Sequence, residues 1–182
     1  MSAPSSRRPP WRRSRGRNSV VFVIVAILLV VRLWTNRPAP EVPQANGETV
    51  HVKRVVDGDT LLLESGTRVR LIGIDTPESV KPNSPVEPFG PEASEFTKKM
   101  VEGRDVTLEF DRERLDQYDR LLAFVFIDGK MLNEELIRAG LSPAETQYSY
   151  RSDIKRRFIN AEKEAKAARR GIWSLEPEAP SR

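Results

Sequence analysis

Two short acidic segments, each following an apolar run, carry the residues of this chain that are best suited to chemistry. The first is Asp57-Gly-Asp-Thr60 and the second is Asp75-Thr-Pro-Glu78, with Arg70 in the apolar run between them. Carboxylates are hard oxygen ligands, a glutamate is a candidate base, and an arginine is a permanent cation. A divalent cation acting on a phosphate ester requires this combination, so the pattern indicates phosphate-ester chemistry.

Asp59 and Asp75 are 16 positions apart, so they meet only if the chain folds back on itself. Residues 61–74 predict such a hairpin, with its turn at Ser65-Gly66. Strict alternation would place Arg70 and Asp75 on opposite faces of a flat strand, so a shared site requires a bend, for which Gly73 is the candidate. Carboxylates, carbonyls and waters suit Ca²⁺ or Mg²⁺, whereas the absence of cysteine and the single histidine exclude a zinc site.

Apolar periodicity and turn residues predict an α+β domain. The motif Asn133 to Gly140 predicts a short helix with Asn133 as its N-cap. Ile154, Phe158, Ala161 and Ala165 form the predicted buried stripe of the last helix. The predicted strands are 50–57, 60–65, 67–74, 106–110 and 121–127, and the predicted helices are 91–102, 133–140 and 152–170.

The positive charge of the chain is concentrated in its first 45 residues. They hold eight arginines against the single acid Glu41, so the other residues carry a net −3 of the total +4. A module that binds nucleic acid by broad phosphate neutralisation would show a basic face. The predicted domain must therefore rely on local cations and metal, which favours an enzyme over a tight binding module.

The N-terminal region predicts a membrane anchor or a signal sequence. Residues 1–19 are basic and predicted to be disordered, and residues 20–34 are almost entirely apolar. Poor cleavage sites favour an uncleaved anchor with the domain exported, and secretion after signal cleavage is the alternative. A Pro-rich linker at 35–48 would then lead to a folded domain at 49–174 and a disordered tail at 175–182.

Several ordered motifs resemble the staphylococcal nuclease (thermonuclease) family over about residues 49–174. This resemblance implies a five-stranded OB-fold β-barrel with three α-helices, preceded here by the anchor or signal helix. The motifs are Val56-Asp-Gly-Asp-Thr60, Arg70-Leu-Ile-Gly-Ile-Asp-Thr-Pro-Glu78, Gly90-Pro-Glu-Ala93, Tyr118-Asp-Arg120, Asn133-Glu-Glu-Leu136 and Gly171-Ile-Trp-Ser174.

The resemblance implies a centre with one Ca²⁺ per domain. Asp59 and Asp75 match the calcium-binding carboxylates of the family, and Thr76 matches the residue that contributes a backbone carbonyl. Asp57 matches an acid that lies near the metal without binding it. The expected partners are DNA as substrate, RNA as a second candidate substrate, and a membrane through the N-terminal segment, and the chain is expected to be a monomer.

The same resemblance implies the catalytic roles. Glu78 matches the proposed general base, which takes a proton from the attacking water. Arg70 and Arg120 match the arginines that bind the scissile phosphate and stabilise its developing charge. Tyr118 matches an aromatic near the nucleotide, and Tyr148 and Tyr150 match the tyrosines of the nucleotide pocket.

Two positions depart from the family pattern, and two rival functions stay open. Gln117 stands where lysine often precedes the tyrosine, and Asp119 where glycine is common before the arginine, so an added carboxylate beside Arg120 predicts a weaker pull on phosphate. Two other functions compete with the nuclease. One is a non-catalytic, membrane-tethered OB-fold module that binds nucleic acid or protein, and the other is an envelope protein with a vestigial nuclease site. The presence of the complete catalytic set favours the nuclease.

Overall fold

The computed structural model describes residues 25–29, 32, 46–79 and 87–175. The chain divides into the units Met1–Ala39 and Pro40–Arg182, and the fold below belongs to the second. Residues 25–29 and 32 are helical, and none of the helices among the described residues has the length and apolar character needed to cross a bilayer. Most of the predicted anchor, the basic N-terminus, nearly all of the linker and nearly all of the tail lie outside the described residues.

Six strands, three α-helices and a final 3₁₀ turn are found among the described residues of the second unit. As the apolar patterns predict, three strands come first, a helix and further strands follow, and two helices come last. The elements are β1 Glu48–Asp57, β2 Thr60–Leu63, β3 Arg68–Leu71, α1 Gly90–Val101, β4 Asp105–Glu109, β5 Leu121–Ile127, β6 Lys130–Met131, α2 Leu132–Arg138, α3 Ser152–Ala167 and the 3₁₀ turn Gly171–Ser174.

Strands β1 to β5 close into a barrel. The strands are hydrogen-bonded in the order β3-β2-β1-β4-β5-β6, and a further parallel pairing of β3 with β5 joins the ends. In that pairing Val69 lies opposite Leu121 and Arg70 opposite Leu122. The inward partners Val69 and Leu121 are fully buried, so Arg70 and Leu122 face outward by alternation. The α+β prediction of a five-stranded OB-fold barrel with three helices is confirmed.

The helices cover the barrel with the apolar faces that the sequence predicts. The α3 stripe of Ile154, Phe158, Ala161 and Ala165 is buried, and Phe158 packs edge-on against Phe124 of β5. These fully buried aromatic rings belong to the central core of the barrel, where truncation of phenylalanine to alanine typically costs about 3–5 kcal/mol. The same core therefore holds together the strands that carry the site.

Asn133 is not the N-cap of α2, contrary to the prediction. The helix begins one residue earlier, and the fully buried Asn133 side chain instead bonds the backbone of neighbouring strands. Its Oδ1 accepts from the N–H of Val125 at 3.0 Å, and its Nδ2 donates to the carbonyl of Ile72 at 2.9 Å. One amide thus satisfies backbone groups beside the β3–β5 closure, a tertiary role that short-range patterns do not reveal.

Candidate active site

Arg70 joins the two acidic segments. Its Nη1 makes an ion pair with Oδ2 of Asp59, and its Nη2 donates to Oδ1 of Asp75 at 2.7 Å. The side chains of Arg70 and Asp59 are largely buried, whereas 67% of the Asp75 side chain is exposed. One guanidinium therefore holds both predicted metal-binding carboxylates, with the open side of the arrangement at Asp75.

A sharp bend after β3 makes this contact possible. The strand ends at Leu71 instead of continuing to residue 74, and Gly73 has a φ of +75°. That left-handed conformation suits glycine, and a Cβ at this position would lie 2.8 Å from the rings of Tyr150 and Phe158. The chain therefore turns at the predicted residue, and Asp75 reaches the side of the strand on which Arg70 lies.

The turn is anchored from the segment after α2. Ser142 is fully buried and accepts a hydrogen bond from the N–H of Asp75 at 2.9 Å. Its hydroxyl also lies 3.1 Å from the carbonyl of Asp75, and Ile74 forms a β-bridge with Ala144. The backbone of Asp75 is thus fixed, while its carboxylate stays in solvent.

Asp59 is fixed by short-range and long-range hydrogen bonds. Its Oδ1 accepts from the hydroxyl of Thr60 at 2.9 Å, and its Oδ2 accepts from both the N–H and the hydroxyl of Thr76 at 3.1 Å. Thr76 is buried and next to Asp75 in the chain. The two acidic segments are therefore held together directly as well as through Arg70.

Asp57 has hydrogen-bond partners that differ from those of Asp59. Its Oδ1 accepts from the N–H of Gly58 at 2.8 Å and from the hydroxyl of Ser79 at 2.7 Å. Within residues 46–79 and 87–175, no hydrogen bond or ion pair links Asp57 to Arg70. Asp57 thus ties the first acidic segment to the end of the second.

Glu78 is exposed, and its backbone is held by the start of α1. Its N–H donates to Oε2 of Glu87 at 3.2 Å, and its carbonyl accepts from the N–H of Glu87 at 3.2 Å. A Cβ at Gly90 would lie 2.5 Å from the carbonyl oxygen of Glu78, so glycine is required for this close approach. The position of Glu78 is therefore set through Gly90 and Glu87.

A cleft of about 680 Å³ opens beside Arg70, between the segment before β5 and the segment before α3. Arg120 immediately precedes β5, and the register that pairs Arg70 with Leu122 brings it to the same side of the barrel. Of the predicted site residues, the cleft is lined by Arg70, Asp75, Arg120, Tyr118, Tyr148 and Tyr150. Glu78, Asp57, Asp59 and Thr76 are not among its lining residues.

The carboxylate of Asp116, a residue that the sequence analysis did not single out, holds Arg120. Oδ2 of Asp116 accepts from Nε of Arg120 at 2.7 Å, and its Oδ1 accepts from the backbone N–H of Arg120 at 3.0 Å. Burial by itself would raise the pKa of Asp116, but hydrogen bonds from Arg120 and Tyr118 and the charge of Arg120 outweigh it and lower that pKa. The available signal was an acid four residues before an arginine, but the segment contains several acids.

The three tyrosines have different environments. Tyr118 and Tyr148 are 69% and 62% exposed at the rim of the cleft, and the Arg120 guanidinium lies 5.5 Å from the centre of the Tyr118 ring. Tyr150 is buried, with its ring centre 6.0 Å from those of Phe124 and Phe158. Burial, with a smaller contribution from Glu145, raises the pKa of Tyr150 to about 12. Tyr150 is therefore a core residue as well as part of the cleft wall.

The cleft is acidic as a whole. Its lining includes the two guanidinium groups of Arg70 and Arg120, and each of these already pairs with a carboxylate. An anionic substrate is thus attracted locally at the arginines and not by the surrounding surface. The carboxylates in the lining belong to Asp75, Asp111, Glu113 and Asp116.

The two departures from the family pattern lie in the loop before Arg120. Gln117 lines the cleft, and Asp119 is exposed with a φ of +59°. This left-handed conformation explains why glycine is common at the position, and aspartate tolerates it better than most residues. The Arg120 side chain pairs with Asp116 and not with Asp119.

The donor set at Arg70 suits a hard cation. Asp59 and Asp75 contact the same guanidinium, so they are close enough for one cation to lie between them, and both present oxygen. Among residues 25–29, 32, 46–79 and 87–175, no cluster of three or more acids, histidines or cysteines forms a metal site. The remaining ligands would thus be carbonyl and water oxygens, which Ca²⁺ accepts.

Comparison of the sequence with known proteins finds one family model and several nucleases. A family model described as "Staphylococcal nuclease homologue" matches residues 68–175. The thermonuclease of Staphylococcus hyicus is 38% identical over 164 residues, and that of Staphylococcus intermedius is 41% identical over 162 residues. Each of these alignments covers 85% of this chain and 95% of the relative.

A third relative matches a shorter part of the chain. Endonuclease YncB of Bacillus subtilis (strain 168) is 40% identical over 129 residues, which cover 69% of this chain and 61% of that protein. The family model spans more than half of the chain, and two relatives above 30% identity span most of it. The chain therefore belongs to the staphylococcal nuclease family.

Proposed function

We propose that this chain is a nuclease that hydrolyses the phosphodiester bonds of DNA, with RNA as a second candidate substrate. The observation that carries the proposal is the convergence of Asp59 and Asp75 on Arg70, beside a cleft that also contains Arg120. The names of the relatives, thermonuclease and endonuclease, support the same activity. Two arginines suit the binding of a phosphodiester, and two acids beside them suit a metal ion that would contact it.

The two arginines would bind the scissile phosphate. A guanidinium donates several N–H groups in a planar fork that matches the oxygens of a phosphate. Arg120 is held through Nε, whereas both terminal nitrogens of Arg70 contact carboxylates. A phosphate therefore reaches Arg120 directly but must compete with Asp59 and Asp75 for Arg70.

Asp59 and Asp75 would hold a calcium ion, with the carbonyl of Thr76 as a further ligand. When bound, such an ion polarises a phosphate oxygen and offsets negative charge. The carboxylates supply oxygen donors without nitrogen or sulfur, as calcium prefers. Because four carboxylates line the cleft against two arginines, added positive charge at this point would strengthen the binding of a phosphate.

Glu78 would accept the proton of the attacking water. Its side chain is exposed and so accessible to water, while its backbone is fixed through Glu87 and Gly90. The new bond forms between water oxygen and phosphorus, and the bond from phosphorus to the 5′ oxygen breaks. The 5′ oxygen leaves as a hydroxyl after taking up a proton, and the phosphate stays on the 3′ side.

Digestion of supercoiled plasmid by the full chain tests this proposal. With calcium we expect nicking that stops when a chelator such as EGTA is added and returns when calcium is restored in excess. Nicking that persists in chelator would contradict the metal dependence. The absence of nicking with calcium, magnesium or manganese would contradict the nuclease and support the non-catalytic binding module.

A further inference from the structure

We propose that Asp116 is a positioning residue that aims the guanidinium of Arg120 into the cleft. The inference rests on the proposed nuclease function, because Arg120 matters to the reaction only if a phosphate binds in the cleft. It adds a residue that neither the sequence motifs nor the comparisons assign. Its support comes from three contacts, the free edge of Arg120 and the burial of the carboxylate.

One carboxylate holds two residues of the cleft wall. Asp116 accepts hydrogen bonds from the N–H of Tyr118 at 2.8 Å, from the N–H of Arg120 at 3.0 Å and from Nε of Arg120 at 2.7 Å. The backbone closes the same loop, because the N–H of Asp116 donates to the carbonyl of Arg120 at 3.0 Å. The backbone and side chain of Arg120 are therefore fixed by a single residue.

Because Asp116 binds Nε of Arg120, the two terminal nitrogens of that guanidinium stay available for a phosphate. A guanidinium that donates through Nε can still present its two terminal nitrogens to a phosphate. Among the described residues, no hydrogen bond or ion pair of the protein uses those nitrogens of Arg120. Arg70 is the opposite case, because its terminal nitrogens contact Asp59 and Asp75.

The environment of Asp116 suits a carboxylate that stays charged and holds Arg120. Its side chain is only 16% exposed and that of Arg120 is 26% exposed, so solvent screens this pair less than it screens an exposed ion pair. The lowered pKa of Asp116 favours its charged form. Loss of this charge would release the guanidinium without removing it.

A released Arg120 should affect the chemical step more than substrate binding. The charge of Arg120 stays in the cleft, so the ground-state attraction of the phosphate largely remains. The alignment with the charge that develops at phosphorus is lost, and misplacement of about 1 Å costs up to about 100-fold in rate. For Asp116→Asn we therefore expect kcat to fall about 10- to 100-fold, with KM changed less than about twofold.

A double-mutant cycle tests whether Asp116 acts through Arg120. We expect Asp116→Asn to lower kcat in the wild-type background and to have no further effect in the Arg120→Gln background. The control is Asp128→Asn, which disrupts an exposed ion pair with Arg104 and should leave kcat unchanged. An equal loss in both backgrounds, or full kcat in Asp116→Asn, would overturn the inference.

A second variant and a spectroscopic measurement complete the test. If Asp116→Asn fails to fold, Asp116→Glu keeps the charge but displaces the guanidinium, so its kcat should also fall only when Arg120 is present. The exchange of the Arg120 Nε proton, followed by NMR, should accelerate at least about 10-fold in either variant, and unchanged exchange would overturn the inference. An inactive wild type would overturn the proposed function as well, whereas an active wild type with an unaffected variant overturns this inference alone.

Discussion

Arg70 and Asp75 are five positions apart on what would be opposite faces of a straight strand, yet Nη2 of Arg70 lies 2.7 Å from Oδ1 of Asp75. The contact exists because β3 ends at Leu71 and the chain turns at Gly73. Asp59 arrives at the same guanidinium from the preceding hairpin. The bend therefore converts two separate acidic turns into one centre.

Replacement of Arg70 by lysine should disable this centre. Lysine keeps the charge, but a single ammonium cannot reproduce the planar fork that holds Asp59 and Asp75. Because the loss of one electrostatic donor typically costs about 10²–10³ in rate, we expect kcat of Arg70→Lys to fall by that factor. Arg104→Lys, at an exposed ion pair, is the matched control and should keep full kcat. Full kcat in Arg70→Lys would refute the role of the fork.

Replacement of Glu78 by glutamine should separate catalysis from binding. An amide cannot take a proton from water, so we expect turnover to be abolished. Binding of a nucleotide bisphosphate, measured by calorimetry, should survive because the cleft does not include Glu78. Glu95→Gln, on the exposed face of α1, serves as the control. Near wild-type turnover in Glu78→Gln would remove Glu78 from the mechanism.

Replacement of Gly90 by alanine should displace Glu78, although the two residues are far apart in the sequence. The new Cβ would lie 2.5 Å from the carbonyl oxygen of Glu78 and 3.0 Å from that of Pro77, so the backbone that carries the base must shift. Such a shift should lower kcat about 10-fold or more. The comparison is Gly66→Ala, which is strained by a φ of +87° but has open space around its Cβ. We expect Gly66→Ala to lose stability and keep its kcat, and an unchanged kcat in Gly90→Ala would contradict the close approach.

Tyr150 should make the stability of the protein fall at high pH. Its pKa is raised to about 12 in the folded state, whereas the ordinary value is 10.0, so between these values the folded state retains a proton that the unfolded state has lost. The free energy of unfolding should therefore decrease as pH rises from about 10 to about 12, and the full contribution is present below pH 10. Urea denaturation at several pH values measures this decrease.

The variant Tyr150→Phe isolates this contribution. It should show a shallower decrease than the wild type, and near neutral pH it should be no less stable, because the buried hydroxyl has no hydrogen-bond partner among the described residues. Tyr148→Phe, at an exposed position, should follow the wild-type curve. Parallel curves for wild type and Tyr150→Phe would contradict the assigned burial.

The sequence predicts the strands and the two acidic segments because their signals are local, whereas the closed barrel is what the family resemblance implies. Alternating apolar runs define the strands, and the bend at Gly73 follows from the conflict between alternation and a shared site. The α3 stripe is equally clear, since helical periodicity identifies Ile154 and Phe158. In each case neighbouring residues suffice to specify the environment.

The contacts that the sequence does not reveal are tertiary. Asn133 has the spacing of a helix cap but bonds Val125 of β5 and Ile72, which directly follows β3 and is 61 residues away. Asp116 is one of several acids in a loop, and only the fold shows which acid meets Arg120. Tyr150 lines the cleft, but only the fold shows that its ring also packs against Phe124 in the core. Short-range patterns do not contain the information that decides these cases.

The central claim is that Asp59 and Asp75 belong to one centre, and plasmid nicking in calcium by Asp59→Asn, Asp75→Asn and the double variant tests it most directly. If they share one cation, each single variant should lose about 10²–10³ in rate, and the double variant should lose little more than either single one. Asp128→Asn should nick at the wild-type rate, since its ion pair with Arg104 is exposed. Full activity in either single variant, or losses that multiply in the double variant, would contradict a shared centre.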